Sequence, residues 1–267
     1  MMYNKFFKIN IFTCCNGQYK NFIPLFIFSN LYYNDDSFVE IGIDNFEGTN
    51  LRLSLSYLNK LFPERFLIRK VNFDFKYEMN DGSYKSPIPN SIRFITEPKI
   101  KSDYVYISDI DIINLEKNIC DIHVNHMNEK KLPFSNIIRP YKENQKYRRL
   151  TGLHFTPYEN YYPIPDFKDL ISKGTLVGND EILLHELVKK RYKNIDEKNQ
   201  FRPVHGIHVS PNREPTSLII NWGMNNWKKQ WFEFRNSKEF MGLEPLLNDY
   251  IKEKIKIIDD FYESNNI

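Results

Sequence analysis

Hydrophobic positions along this chain come first as short unbroken runs and later as spaced stripes, and that change of pattern predicts its layout. Phe7 to Cys14, Phe38 to Ile43 and Phe66 to Val71 are strand-length runs rich in β-branched and aromatic residues, the pattern of buried strands. Between them come the loop Cys15 to Tyr19, a helical stretch through Pro24 to Tyr32, and a second helix over Asn50 to Leu61 with Leu51, Leu55, Leu58 and Leu61 spaced for one face. Strands alternating with helices argue for an α/β fold with a mostly parallel sheet and helices on its faces. Asn72 to Ser86 is polar and rich in turn residues, hence a loop, and Pro89 to Thr96 reads as a short helix leading into the apolar run Tyr104 to Ile113.

Further along, Ile119 to Val124, Leu150 to Thr156 and Val204 to Ser210 read as strands, and Asn179 to Tyr192 as a helix with Asn179 as its N-cap. Glu239 to Tyr262 predicts one amphipathic helix, with Leu243, Leu246, Leu247, Tyr250, Ile251, Ile255 and Ile258 on a broad face. Docking on its own domain is the expected role of that face. Contact with a membrane or a partner protein is the other option, since Lys252, Lys254 and Lys256 lie nearby. The turn-rich Asn72 to Ser86 and the basic Lys142 to Arg149 are the expected closing segments over a ligand.

Composition narrows the partners. At 267 residues the chain suits one large domain or one and a half, with length enough to bury a sizeable core. Its 37 basic and 34 acidic side chains nearly cancel, so nothing announces a nucleic-acid surface. The 17 tyrosines and 21 phenylalanines suit a thick core and stacking surfaces for sugars or bases. Cys14, Cys15 and Cys120 are odd in number and include an adjacent pair, which suggests no disulfide framework and a reducing compartment. Lys5 and Lys8 interrupt the first apolar residues, and the run Phe22 to Leu31 carries Pro24 and is far shorter than a ~20-residue span. The expectation is a cytoplasmic protein, with peripheral attachment at the inner membrane as an option.

The chemistry concentrates at Tyr104-Val-Tyr-Ile-Ser-Asp-Ile-Asp-Ile-Ile113, where a buried strand would deliver Asp109 and Asp111 to its C-terminal end. Open α/β sheets keep their ligands there. Two carboxylates so close repel, and a hard divalent ion such as Mn or Mg explains how both stay ionised. Such an ion keeps water and phosphate oxygens in its shell, which points to a phosphorylated ligand. A strand-end turn or helix cap is the ordinary alternative for Asp-x-Asp. Similar alternatives stand elsewhere: Tyr19 covering a helix start, Arg93 pairing with Glu97 at i,i+4, and Asp180 with Glu181 complementing a helix macrodipole. His205 and His208 would face opposite sides of a strand, so only one can join the aspartates. His123 and His126 lack the convergent ligands of a zinc site and read as pocket-lining or structural.

Several pieces recur in a familiar order: the first strand with its loop ending in Tyr19, Ser91-Ile-Arg-Phe94 before the Asp-x-Asp strand, Leu150-Thr-Gly-Leu-His-Phe155, Asn179-Asp-Glu-Ile-Leu183, and His205-Gly-Ile-His208. Together they resemble the nucleotide-sugar-dependent glycosyltransferases of the GT-A fold, and among these look most like glycosyltransferase family 8, over residues 6 to 215. The resemblance implies a GT-A domain over residues 1–235, with a donor-binding half about 1–115 and an acceptor-binding half about 116–235, and a C-terminal helical extension over 236–267.

It also implies site roles. Asp109 and Asp111 would bridge a divalent ion to the donor diphosphate, Asp109 lying near the ribose as well, and His208 would be the third protein ligand. An imidazole in an otherwise oxygen-rich shell favours Mn over Mg. Tyr19 would stack on the nucleobase and Arg93 approach the donor. Asp180 or Glu181 would meet the acceptor or reacting sugar. Where the family has a loop with Gly, Lys, Pro and Trp, this chain has Val209-Ser-Pro-Asn-Arg-Glu-Pro215, so Arg213 would stand in for the lysine at the diphosphate.

The implied activity is hexosyl transfer from a nucleoside diphosphate sugar, UDP above all, to a glycan hydroxyl in bacterial capsule or lipooligosaccharide synthesis. Inversion would require Asp180 or Glu181 as general base, whereas retention, as in family 8, requires none. The competing readings are a metal-dependent nucleotidyltransferase or phosphohydrolase, and a non-catalytic glycan- or nucleotide-binding module.

Overall fold

The computed structural model describes residues 6–47, 51–78, 81–139, 148–167, 170, 179–192, 195, 201–210 and 227–264. The first half alternates as its pattern predicts, with β1 (Ile9–Cys15), α1 (Ile23–Tyr32), β2 (Ser37–Ile43), α2 (Arg52–Leu61) and β3 (Phe66–Lys70) in succession. All seven residues of β1 and all seven of β2 are buried, which is why they read as unbroken apolar runs rather than as alternation. Pro24 sits in the first turn of α1, where its missing N–H has no intrahelical partner to lose. The polar stretch after β3 is mostly loop and carries a small hairpin, β4 (Tyr77–Glu78) with β5 (Tyr84–Lys85).

The sheet is completed by β6 (Tyr104–Ile107), which lies parallel to β1 on the side away from β2. After a turn through Asp109 and Asp111 the chain forms β7 (Ile112–Asn114), so the aspartates stand between two strands rather than inside one.

Three expectations need correction. Ile119 to Val124 is not a strand but the first half of α3 (Ile119–Lys130). Its buried positions, Ile119, Cys120, His123 and Met127, fall at helical spacing, and the short apolar run alone does not distinguish the two. Leu150 to Thr156 is two strands. β8 (Ile138–Arg139) pairs with β9 (Arg149–Leu150), and after Gly152 the chain joins the main sheet as β10 (His154–Pro157), antiparallel to β6. Glu239 to Tyr262 is likewise broken, into Lys238–Leu243, a 3-10 turn Glu244–Leu246 and Asp249–Ser264, because Pro245 cannot continue a helix. Asn248 restarts it by accepting the Ile251 N–H at 2.9 Å.

The helix Asp180–Arg191 is capped as expected, Asn179 Oδ1 accepting from the N–H groups of Glu181 (3.0 Å) and Ile182 (3.2 Å). The strand expected over Val204 to Ser210 is β11 (Gly206–His208), paired antiparallel with β7. Of the basic segment expected to close over a ligand, residues 142–147 lie outside the described residues and Arg149 opens β9.

The main sheet runs β10-β6-β1-β2-β3. One core cluster fills the α1 and α2 side and takes in Ile251, Ile255, Ile258 and Tyr262, so the last helix packs its apolar face on the domain. A second fills the opposite side, between the sheet, Ile92, Phe94 and the helix Asp180–Arg191. No helix among the described residues is long and apolar enough to cross a membrane.

Two polar devices lie inside these cores. Glu40 of β2 is fully buried and accepts from Arg69 Nε (2.6 Å), the N–H groups of Lys99 (2.8 Å) and Ile100 (3.0 Å), and Asn10 Nδ2 (3.3 Å). One carboxylate thus ties β1, β2 and β3 to the segment that enters β6.

The second device is neutral histidine. His123 stacks on Phe155 at 4.6 Å, and its Nε2 lies 2.6 Å from Nε2 of the buried His205. Nδ1 of His205 has no partner among the described residues, and Nδ1 of His123 is 2.8 Å from Ser135 Oγ. The tautomers that leave no N–H orphaned have His205 donating to His123 and His123 donating to Ser135. Burial pushes His205 and His154 down to about 3, and with the neighbouring His205 holds His123 well below the ordinary histidine range.

These three rings stay neutral in the fold while the unfolded chain takes up protons below about pH 6.5, so acid favours unfolding. The expected cost is about 1.4 kcal/mol per pH unit for each ring, about 4 kcal/mol per unit together. Urea midpoints measured from pH 8 to 5 should be level above pH 7 and fall steeply below 6.5. A midpoint that stays flat to pH 5 contradicts the assignment.

Candidate functional site

The chain leaves β1 toward β2 and β3 on one side and returns to β6 on the other, so the strand order reverses between β1 and β6. Crevices open at such points beyond the carboxyl ends of parallel strands. A cleft of about 780 Å3 lies there, lined by residues that include Tyr19, Arg93, Asp109, Asp111, Asp180 and His208.

Pairing geometry sets the ligand group. In the β11 to β7 register His208 lies opposite Ile112, and the Val209 N–H donates to the Asp111 carbonyl at 2.8 Å. That register requires Gly206, because a Cβ there would stand 2.0 Å from the Ile113 carbonyl oxygen. His208 Nε2 is thereby 3.2 Å from Asp111 Oδ1. One ligand atom each from Asp109, Asp111 and His208 fall within 4.8 Å of one another. An octahedral shell with bonds of about 2.1 Å spans about 3 Å between adjacent donors and about 4.2 Å between opposite ones. Asp109, Asp111 and His208 offer three of the donors such an ion takes, and water or phosphate oxygens would complete its shell. His205 points instead into the core, as its three-residue offset from His208 requires.

Arg93 is buried beside this group. Its Nη2 lies 2.7 Å from Asp109 Oδ1 and 3.2 Å from Asp180 Oδ2, so the arginine links the turn after β6 to the first turn of the helix Asp180–Arg191. Burial works against its charge, but Asp109, Asp180 and Asp111 outweigh it and raise its pKa above the ordinary value. Glu97 is not its partner and bonds the Tyr158 hydroxyl instead at 3.1 Å. A Cβ at Gly152 would come 2.8 Å from Arg93 Nη2 and 3.5 Å from both Asp109 oxygens. Glycine at the break between β9 and β10 is what lets the backbone pass this pair.

Tyr19 stands in a 3-10 turn after β1, half-buried, and burial together with Asp111 and Asp109 raises its pKa. Tyr250 of the last helix also feels Asp111, second to burial, so the C-terminal extension reaches the site's edge. The sequence pattern placed Tyr250 only on an apolar face. Arg213 lies outside the described residues.

Asp180 and Glu181 behave differently from a simple capping pair. Glu181 Oε1 takes Arg139 Nε (2.9 Å) and Nη2 (2.8 Å), while its Oε2 lies 3.4 Å from Arg149 Nη1. Burial pushes the Glu181 carboxyl up, against the pull of Arg139. Arg139, Arg149 and Arg202 were not singled out from the sequence, because each sits at the end of a two-residue strand or in a loop, where no periodicity marks it.

No family model matches the sequence, and neither does any curated protein. Among solved structures, galactosyltransferase LgtC in complex with donor and acceptor sugar analogs is similar over 92% of this chain and 99% of its own, at 12% identity and a TM-score of 0.50. The chain has the GT-A fold. A mannosyltransferase, PcManGT from Pyrobaculum calidifontis in complex with GDP-Man and Mn2+, aligns over 96% of this chain and 74% of its own at 9% identity, TM-score 0.46. In GT-A terms the observed cleft lies at the switch point of the central sheet, and the Asp109, Asp111 and His208 group stands within it.

Proposed function

We propose that this protein is a metal-dependent glycosyltransferase that moves a sugar from a nucleoside diphosphate sugar to a hydroxyl of a glycan acceptor. The observation that carries the reading is the convergence of Asp109, Asp111 and His208, from two different strand ends, in the switch-point cleft of a GT-A fold. A divalent ion bound there supplies Lewis-acid stabilisation of the departing diphosphate. The imidazole in the donor set favours manganese.

The chain's own residues do the rest. Arg93, fixed between Asp109 and Asp180, presents a charged donor to the phosphates and is preorganised by that double contact. Tyr19 covers the nucleobase from the end of β1. Asp180 faces the reacting sugar, and Glu181, with both oxygens on arginines, positions the wall beside it. Residues from about 1–115 form the donor half and those from about 116–235 the acceptor half, with the last helix bracing the domain.

The test is a thermal-shift screen of nucleotide sugars, uridine diphosphate sugars first, with and without Mn2+. A ligand at 100 times its Kd stabilises by about 2.7 kcal/mol, which raises Tm by about 5 to 10 °C in a chain of this size. At least one nucleotide sugar should give such a shift only with metal present. If none does, the proposal fails.

A further inference from the structure

The last helix brings to the edge of the cleft a polar atom that the fold does not satisfy. Tyr250 stands in the first turn of the helix Asp249–Ser264, which Asn248 caps and the buried Ile251 anchors in the core. Its ring packs edge-on against Phe22 at 5.9 Å, in the 3-10 turn that also carries Tyr19, and Lys254 lies over its face, 5.5 Å from the centroid. Those contacts fix the ring by its sides. Its hydroxyl oxygen is shut off from water and has no hydrogen-bond partner among the described residues. Tyr57, Tyr158 and Tyr161, by contrast, each donate to a carbonyl or carboxylate oxygen at 3.0 or 3.1 Å. A buried phenol that bonds nothing is an exception that calls for a reason.

Asp111 supplies the complementary half. It is buried, and among the described residues only His208 is within ion-pair distance of its carboxylate, at Oδ1. Arg93, whose charge also reaches Asp111, spends its Nη2 on Asp109 and Asp180. After burial, Asp111 is the group that acts most on the Tyr250 hydroxyl, and Tyr19, which lines the cleft, feels both. The phenol and the carboxylate are therefore within electrostatic reach of one another and not yet bonded. A divalent ion that takes one oxygen of Asp111 settles where the other points, and a ligating carboxylate is ordinarily held in place by a hydrogen-bond donor behind it. Tyrosine has one proton to give for that purpose.

We propose that Tyr250 is a positioning residue of the metal group, its hydroxyl donating to the Asp111 oxygen that the ion leaves free, so that the C-terminal helix fixes this carboxylate in its ligating orientation. The inference deepens the metal-dependent reading above and rests on it for the ion.

The test compares the full-length chain with Tyr250→Phe, which keeps the ring and its contacts with Phe22 and Lys254 and removes only the oxygen. Electron paramagnetic resonance titration should show Mn2+ bound about 10 to 100-fold more weakly by the variant, the usual cost of losing a partner behind a metal ligand. With metal chelated, its melting temperature should stay level or rise, because a buried hydroxyl that bonds nothing stabilises nothing. A role confined to packing would move neither reading in this direction.

Equal Mn2+ affinity in the two chains overturns the inference. So does a chelated Tyr250→Phe chain that melts more than a few degrees below wild type, since the hydroxyl would then have a partner within the fold. The wild-type titration separates this proposal from the one it rests on. A wild-type chain that binds no Mn2+ sinks the metal-dependent reading and this inference together, whereas Mn2+ bound alike by wild type and variant sinks the role of Tyr250 alone.

Discussion

Replacing Asp111 by asparagine is expected to lower sugar transfer by at least about 100-fold, since losing even an outer-sphere partner of a metal ligand costs about 10 to 100-fold. The change removes a charge and little volume. The backbone bond from Val209 N–H to the Asp111 carbonyl does not involve the side chain, so the β11 to β7 pairing that positions His208 survives. Without metal, the melting temperature should change little, because relief of the like-charge pair with Asp109 is offset by the lost attraction to the buried Arg93. With Mn2+, the extra stabilisation by nucleotide sugar should vanish. Electron paramagnetic resonance titration of Mn2+ checks the first step directly: wild-type affinity in Asp111→Asn would remove Asp111 from the ligand set.

Glu40→Ala should be the most damaging single change to stability, at about 3 to 5 kcal/mol, the range for breaking one side of a buried charge pair. The substitution takes the acceptor from Arg69 Nε, from two backbone N–H groups and from one N–H of the Asn10 amide, while Arg69 Nη2 keeps the Glu97 carbonyl and Asn10 Nδ2 the Ile100 carbonyl. Urea unfolding should show the loss, and thermal unfolding a Tm lower by about 6 to 20 °C. Glu40→Gln keeps an acceptor but loses the charge on Arg69, so it should fall between. A Glu40→Ala chain within about 1 kcal/mol of wild type by the same measurement, little more than an ordinary surface effect, would refute the role.

The corrections to the expected fold share a cause. Ile119 to Val124 is as apolar as a strand, and only packing against the sheet through Ile119, His123 and Met127 makes it a helix. Leu150 to Thr156 reads as continuous until Gly152 is seen beside Arg93, a contact between distant parts of the chain. In the last helical stretch the apolar stripe is real and buried, but Pro245 breaks it into pieces, a local rule that periodicity overrode.

The candidate site divides the same way. Asp109 and Asp111 are two residues apart and legible wherever they stand, while the distance between Arg93 and Asp180, 87 positions apart, exists only in the fold. Sequence offered Arg93 a partner at Glu97, and the structure gave it two others.

By itself the sequence determined the alternation of buried strands and helices, the Asn179 cap and the carboxylate pair at a strand end, because each depends on neighbours within a few residues. The family resemblance pointed to His208 rather than His205, but only the tertiary structure decided how close it comes to that pair, that Glu40 is a buried tie, and that Arg139 and Arg149 share the Glu181 carboxylate. Those facts follow from strand register and from which elements pack together, and long-range pairing is set by the whole chain's burial rather than by any segment's own pattern.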